Sequence, residues 1–215
     1  MSTDVTRSYT VPSSQSTPPR PLRPDDLILE TERLHLRPLA LEDADLSIEI
    51  FTDPDVMRYV WDVMTPSEVE TSMANHILRG AGGRIGVWSA TDRSTGEKLG
   101  TGALLPMPID DEDTNWDDLK SERYPEAEIE VGYFLKKSAW GKGYATEICK
   151  RLLAFAFEQT DLPEIVATTD NGNAASQHVL TKCGFQLKGR RYCYAEDDCP
   201  DFRITREEWL TRQQP

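Results

Sequence analysis

The stretch that most constrains the fold is AEIEVGYFLKKSAWGKGYATEICKRLLAFAFEQT, Ala127 to Thr160. Its first part alternates polar and apolar residues and then becomes wholly apolar, as a central strand does. Two glycines, Gly141 and Gly143, then flank Lys142. After them Ile148, Leu152, Phe155 and Ala156 recur on one helical face. Strand, glycine turn and amphipathic helix belong to a domain in which helices cover a sheet. The turn also offers free helix N–H groups and a positive dipole end to an anion. It is not the GxxxxGK[ST] loop, because Tyr144 follows Gly143, and it lacks the third glycine of a dinucleotide fingerprint. On the residues alone, a pyrophosphate ligand and a purely structural strand-to-helix turn both remain open.

The flanking sequence fills in the rest of the domain. LILETERLHLRPL, Leu27 to Leu39, carries Leu34 and Leu36 inward and Arg33, His35 and Arg37 outward, a strand period. LEDADLSIEIFTDPDV turns helical with acidic residues early, and Pro54 is expected to close that helix. TPSEVETSMANHILRG predicts a second helix, with Thr65 as N-cap, Glu68 completing a capping box and Gly80 as stop. The run GAGGRIG reads as the loop that follows it. RIGVWSAT and KLGTGALLP form a hairpin across DRSTGE. EIVATT is a short strand, and NAASQHVLTKC is a helix capped by Asn173 and stopped by Gly184. FQLKGRRYCYA and CPDFRIT close the chain as two strands. Residues 1–24, mostly Ser, Thr and Pro, are expected to be a disordered tail, and residues 25–215 the single domain. The acidic insert at 108–126 reads as a surface loop, either solvated or an anionic rim for an amine.

A formal charge of -13 argues against a nucleic-acid binder and is compatible with a cationic partner. No apolar run approaches a membrane span, and the N-terminus has no apolar signal core, so a cytoplasmic location is expected. Cys149, Cys183, Cys193 and Cys199 show no metal-ligand spacing with the histidines; Cys149 and Cys183 read as small core residues.

TERLHLRPL, EVGYFL feeding WGKGYATE, and NGNAASQHVLTKCGF resemble, in order and spacing, the GNAT acetyltransferases, most closely the RimJ/RimL-type branch. The resemblance spans Leu27 to Trp209. It implies an α/β (α+β) GNAT fold, a mixed and mostly antiparallel sheet of about six to seven strands flanked by about four helices. It implies acetyl-CoA as co-substrate, no metal, and direct attack by a primary amine in a ternary complex. The amine belongs to a protein N-terminus or a small molecule, and the molecule is a monomer or homodimer.

The same resemblance assigns Trp140, Gly141, Lys142, Gly143, Tyr144, Ala145 and Thr146 to the pyrophosphate loop. Trp140 departs from the Gln/Arg of the general motif, as the RimJ/RimL branch commonly does. Tyr133, Phe134 and Leu135 match the strand beside the pantetheine arm, and Asn173 and Ser176 match positions near the cofactor arm and sulfur. Glu130 is the candidate base and Glu128 the second choice, while Ser176 joins Glu130 as a catalytic candidate. The tyrosine acid of many relatives is replaced by Leu180, and the glutamate of another branch by Thr168. Tyr192 and Tyr194 are expected to share a face toward the acceptor or simply to pack. The alternatives are a non-catalytic CoA-binding or sensor domain and an interaction domain that holds basic protein through the acidic loop.

Overall fold

The computed structural model describes residues 22–213, so the expected tail falls outside the described residues up to Pro21. Leu34 and Leu36 alternate into the interior while polar neighbours face out, which fixes the first long strand and its register. In chain order the elements are β1 (Leu29–Glu30), β2 (Leu34–Pro38), α1 (Ala44–Phe51), α2 (Pro54–Met57), α3 (Pro66–His76), β3 (Arg79–Gly80), β4 (Ile85–Asp92) and β5 (Lys98–Pro106). There follow β6 (Ile129–Leu135), α4 (Tyr144–Gln159), β7 (Glu164–Ala167), α5 (Ala174–Cys183), β8 (Gln186–Cys193), β9 (Glu196–Thr205) and α6 (Arg206–Gln213).

The strands form one sheet in the order β1-β2-β4-β5-β6-β7-β9-β8, with β3 also on β4. Every pairing among the described residues is antiparallel except β6 with β7. A parallel neighbour requires a crossover, and α4 supplies it. The helix buries Ile148, Leu152, Phe155 and Ala156, the face read from its periodicity. It lies close on β5 because Gly102 has no side chain there. A Cβ at that position would stand 2.4 Å from Ile148 Cγ2 and 2.9 Å from Leu152 Cδ1. On the other side, α1 to α3 bury Leu46, Ile50, Met57 and Val69, and Phe134 of β6 packs against this group.

The mixed α/β class is as expected, with more elements than the sequence reading counted. Pro54 does not close a helix. α1 ends at Phe51, and Pro54 opens α2 behind the Asp53 N-cap, whose carboxylate accepts the Asp55 N–H at 2.8 Å. The α3 capping box forms as read, with Thr65 N–H donating to Glu68 Oε2 at 2.7 Å, but α3 ends at His76 and Gly80 sits in β3. The two-residue strands β1 and β3 and the terminal α6 carry too little periodicity to be seen in sequence; α6 is anchored chiefly by buried Trp209. The acidic insert is only partly solvated: a 3-10 turn at Trp116–Lys120 buries Leu119, and Ser121 O accepts the Ala81 N–H at 2.8 Å. The four cysteines are buried free thiols.

Candidate active site and cofactor crevice

β6 and β7 share a single registered pair, Glu130 with Val166. Beyond it the strands part and carry Gly132–Phe134 and Thr168–Asn173 to the walls of one cavity of about 890 Å³. A crevice at the carboxyl ends of parallel strands is where α/β sheets take ligands.

The glycine turn follows β6 in the chain, and none of Trp140–Thr146 is among the residues that line this cavity. Gly141 and Gly143 are left-handed, at φ 72° and 83°, and Gly143 is the N-cap of α4. A side chain at either position would be strained, and at Gly141 the space beside the backbone is open. The N–H groups of Gly141, Lys142 and Gly143 meet no backbone acceptor among the described residues. Trp140 ties the loop back to β6, its Nε1–H donating to Leu135 O at 2.9 Å. Lys142 points to solvent, Ala145 packs on the core, and Thr146 O accepts from Cys183 Sγ at 3.6 Å. Tyr144 donates to Asp92 Oδ2 at 3.1 Å.

Across the crevice, Asn173 caps α5 by accepting the Ser176 N–H at 3.1 Å. The Ser176 hydroxyl lies 3.0 Å from the Tyr133 hydroxyl, which also donates to Ser176 O at 3.2 Å. Tyr133, Phe134, Asn173, Ser176 and Leu180 all line the cavity; Leu135 is buried away from it. Burial and the neighbouring thiols raise the Tyr133 phenol above its ordinary range.

Glu130 sits at the foot of the crevice, only 8% exposed. Burial pushes its carboxyl up to about 7, against the opposing pull of a hydrogen bond from Tyr194 to Oε1 and the charge of Arg191. Tyr194 was expected to share a face with Tyr192. Instead β8 ends at Cys193, and Tyr194 takes a left-handed φ of 56° in the β8–β9 turn. That turn reverses it into the cavity and leaves Tyr192 exposed. Its backbone is held by Pro108 O, which accepts the Tyr194 N–H at 3.2 Å, so the acidic insert supports the same tip. Glu128, the second-choice base, is engaged elsewhere: it forms ion pairs with Arg191 at 2.5 Å and Arg203 at 2.6 Å. Both arginines tie Glu128 into a network of ion pairs that also takes in Asp201 and Glu164.

The same cavity is lined by an aromatic wall of which sequence reading named only Phe134, because its members are scattered along the chain. Phe134 meets Phe51 at 5.4 Å and Trp61 at 6.1 Å, while His76 bridges Phe51 and Trp116 at 5.7 and 4.9 Å. Asp62, Glu112, Asp113, Asp170 and Glu196 add carboxylates to the lining, against the one arginine Arg58 among the described residues there.

A crevice between parting parallel strands with a buried carboxyl at its foot, and a glycine turn with unpaired N–H groups leading from β6 into α4, is the frame of an N-acetyltransferase. Residues 33–186 match the family model described as the acetyltransferase (GNAT) domain, and the chain belongs to that family. It is 29% identical to FsC-acetyl coenzyme A-N(2)-transacetylase of Aspergillus fumigatus, over 87% of this chain and 80% of that one. It is 30% identical to the uncharacterized N-acetyltransferase p20 of Bacillus licheniformis, over 75% and 83%. In fold it is similar to a GNAT-family acetyltransferase from Bacillus anthracis, with a TM-score of 0.66, 20% identity, and 84% and 99% of the two chains covered. The protein is an N-acetyltransferase with the GNAT fold. No helix among the described residues is long and apolar enough to cross a membrane.

Proposed function

We propose that the protein transfers the acetyl group of acetyl-CoA directly to a cationic primary amine, with Glu130 taking the proton that the amine must lose. The observation that carries this reading is the buried Glu130–Tyr194 pair at the foot of the crevice, with the carboxyl raised to about 7. A base with that affinity is matched to neutral pH. The residues present fit the donor: left-handed glycines leave room for a pyrophosphate, and three loop N–H groups are without backbone acceptors. Gly132–Phe134 supply the edge along which the arm of the donor runs, and a backbone N–H there polarises the thioester carbonyl.

The amine nitrogen forms the new C–N bond as the C–S bond breaks. Glu130 receives the amine proton, directly or through one water, and the thiolate leaves beside the Ser176 hydroxyl. Ser176 hydrogen-bonds that sulfur, with Tyr133 orienting the serine. The lining carboxylates and aromatic wall favour an acceptor with a positive charge and an apolar body. The relative from Aspergillus fumigatus is an N(2)-transacetylase by name, and the RimJ/RimL-like TERLHLRPL and Trp140 keep protein N-termini among the acceptors.

The test is CoA release with acetyl-CoA over a panel of small amines and peptide N-termini, in wild type and Glu130→Gln. The variant is expected to lose roughly 100-fold in kcat on the best acceptor while binding acetyl-CoA normally. A Glu130→Gln enzyme with an undiminished rate would remove Glu130 as the base.

A further inference from the structure

We infer that Arg33 is a positioning residue for the pyrophosphate loop, from a point 109 positions earlier in the chain. The inference rests on the acetyl-CoA reading above. In sequence Arg33 is an outward-facing residue of TERLHLRPL with no evident chemistry. In the structure its guanidinium grips the turn between β6 and α4 from below. Nη1 donates to Lys142 O at 3.0 Å, Nε donates to Glu147 Oε2 at 2.8 Å, and Nη2 lies 2.6 Å from the same oxygen. The Arg33 backbone N–H donates to Glu147 Oε1 at 3.0 Å, and the guanidinium lies 4.5 Å from the centre of the Tyr144 ring.

Two physical consequences follow for the loop. The carbonyl of Lys142 and the N–H of Gly143 belong to one trans peptide plane and point in opposite directions. Holding the carbonyl on Arg33 therefore turns the Gly143 N–H away from the protein, toward where an anion would sit. With glycines on both sides of Lys142, nothing local fixes that plane, and a rigid planar fork of donors does.

The second consequence concerns charge. Glu147 lies in the first turn of α4, where its carboxylate competes with a pyrophosphate for the positive end of the helix. Arg33 neutralises it, and Thr31 donates a further hydrogen bond to Oε1 at 2.5 Å, so the carboxylate is turned aside from the loop. Lysine could supply the charge but not reach the carbonyl and the carboxylate together.

The experiment compares two donors, acetyl-CoA and S-acetylpantetheine, which has the same thioester and arm end but no pyrophosphate. For Arg33→Met the KM for acetyl-CoA is expected to rise about tenfold, with kcat and the acceptor KM little changed. On S-acetylpantetheine the same variant should stay within about twofold of wild type in kcat/KM. Arg33→Lys should fall between, and Arg33→Met with Glu147→Gln should recover part of the loss, because the unpaired carboxylate is gone. Equal losses on both donors would mean that Arg33 only supports the fold, and no loss on either would remove it from the loop altogether; both outcomes overturn the inference. Should Arg33→Met fail to fold, Arg33→Lys and Glu147→Gln carry the same two-donor comparison. Wild type that fails to bind acetyl-CoA in calorimetry would sink the parent reading. Wild type that binds while Arg33→Met binds equally tightly would sink this inference alone.

Discussion

Burial at the foot of the β6–β7 crevice raises the Glu130 carboxyl from 4.5 to about 7, and the Tyr194 hydroxyl works against that rise. As the proposed base, Glu130 acts in its ionised form, so kcat/KM should climb with pH through about 7 and level off above it. Tyr194→Phe removes a hydrogen bond that favours the charged form, and the midpoint of that climb should move to higher pH in a pH–rate profile. The same raised value makes stability depend on pH. The native state binds the proton more tightly than the unfolded chain, so the contribution is full below about 4.5 and is lost as pH rises through about 7. Wild type should therefore lose stability relative to Glu130→Gln between those limits, by up to about 3 kcal/mol, as urea midpoints at pH 4.5 and 8 would show. Glu130 was singled out in sequence by its match to the strand glutamate of the RimJ/RimL branch. Its pairing with Tyr194 was not legible there, because a tyrosine on an apparent strand gives no sign that the chain will turn left-handed at that residue.

At the scale of elements, the β6–turn–α4 unit works because backbone approaches closely at two kinds of glycine. Gly143 needs its left-handed φ to start α4, whereas Gly102 needs only the absence of a Cβ. Gly102→Ala should overpack the seat of α4 against Ile148 and Leu152 and destabilise by about 1–3 kcal/mol, read as a lower Tm. The periodicity of α4, the capping box of α3 and the Asn173 cap of α5 were all readable, since each depends on residues within a turn of one another. Pro54 was misread for a related reason: a proline ends one helix or begins the next according to what precedes it, and Asp53 as an N-cap decided for the second. The strands β1 and β3 pair with the next strand in sequence but are two residues each, too short for a period to show, whereas α6 is seated by Phe157, Thr160 and Leu162, far from it in the chain.

Across the whole molecule, the net charge of -13 is not evenly spent: several carboxylates gather along one cavity beside an aromatic wall built from α1, α3, β6 and the insert. Steering by that field should make kcat/KM for a cationic acceptor fall as salt rises from about 0.05 to 0.5 M, while a neutral amine of similar size shows little change. Equal salt dependence for both would separate the wall from acceptor capture. The chain by itself determined the α/β class, the order of its main elements and the glycine turn, because periodicity, caps and turns are local; Glu130 was marked out only by a resemblance. Only the tertiary structure decided which carboxylate faces the cavity and which is taken up in ion pairs. Glu128 and Glu130 look alike in sequence, and their difference lies in what β8, β9 and the turn between them bring: Arg191 and Arg203 to the first, Tyr194 and burial to the second.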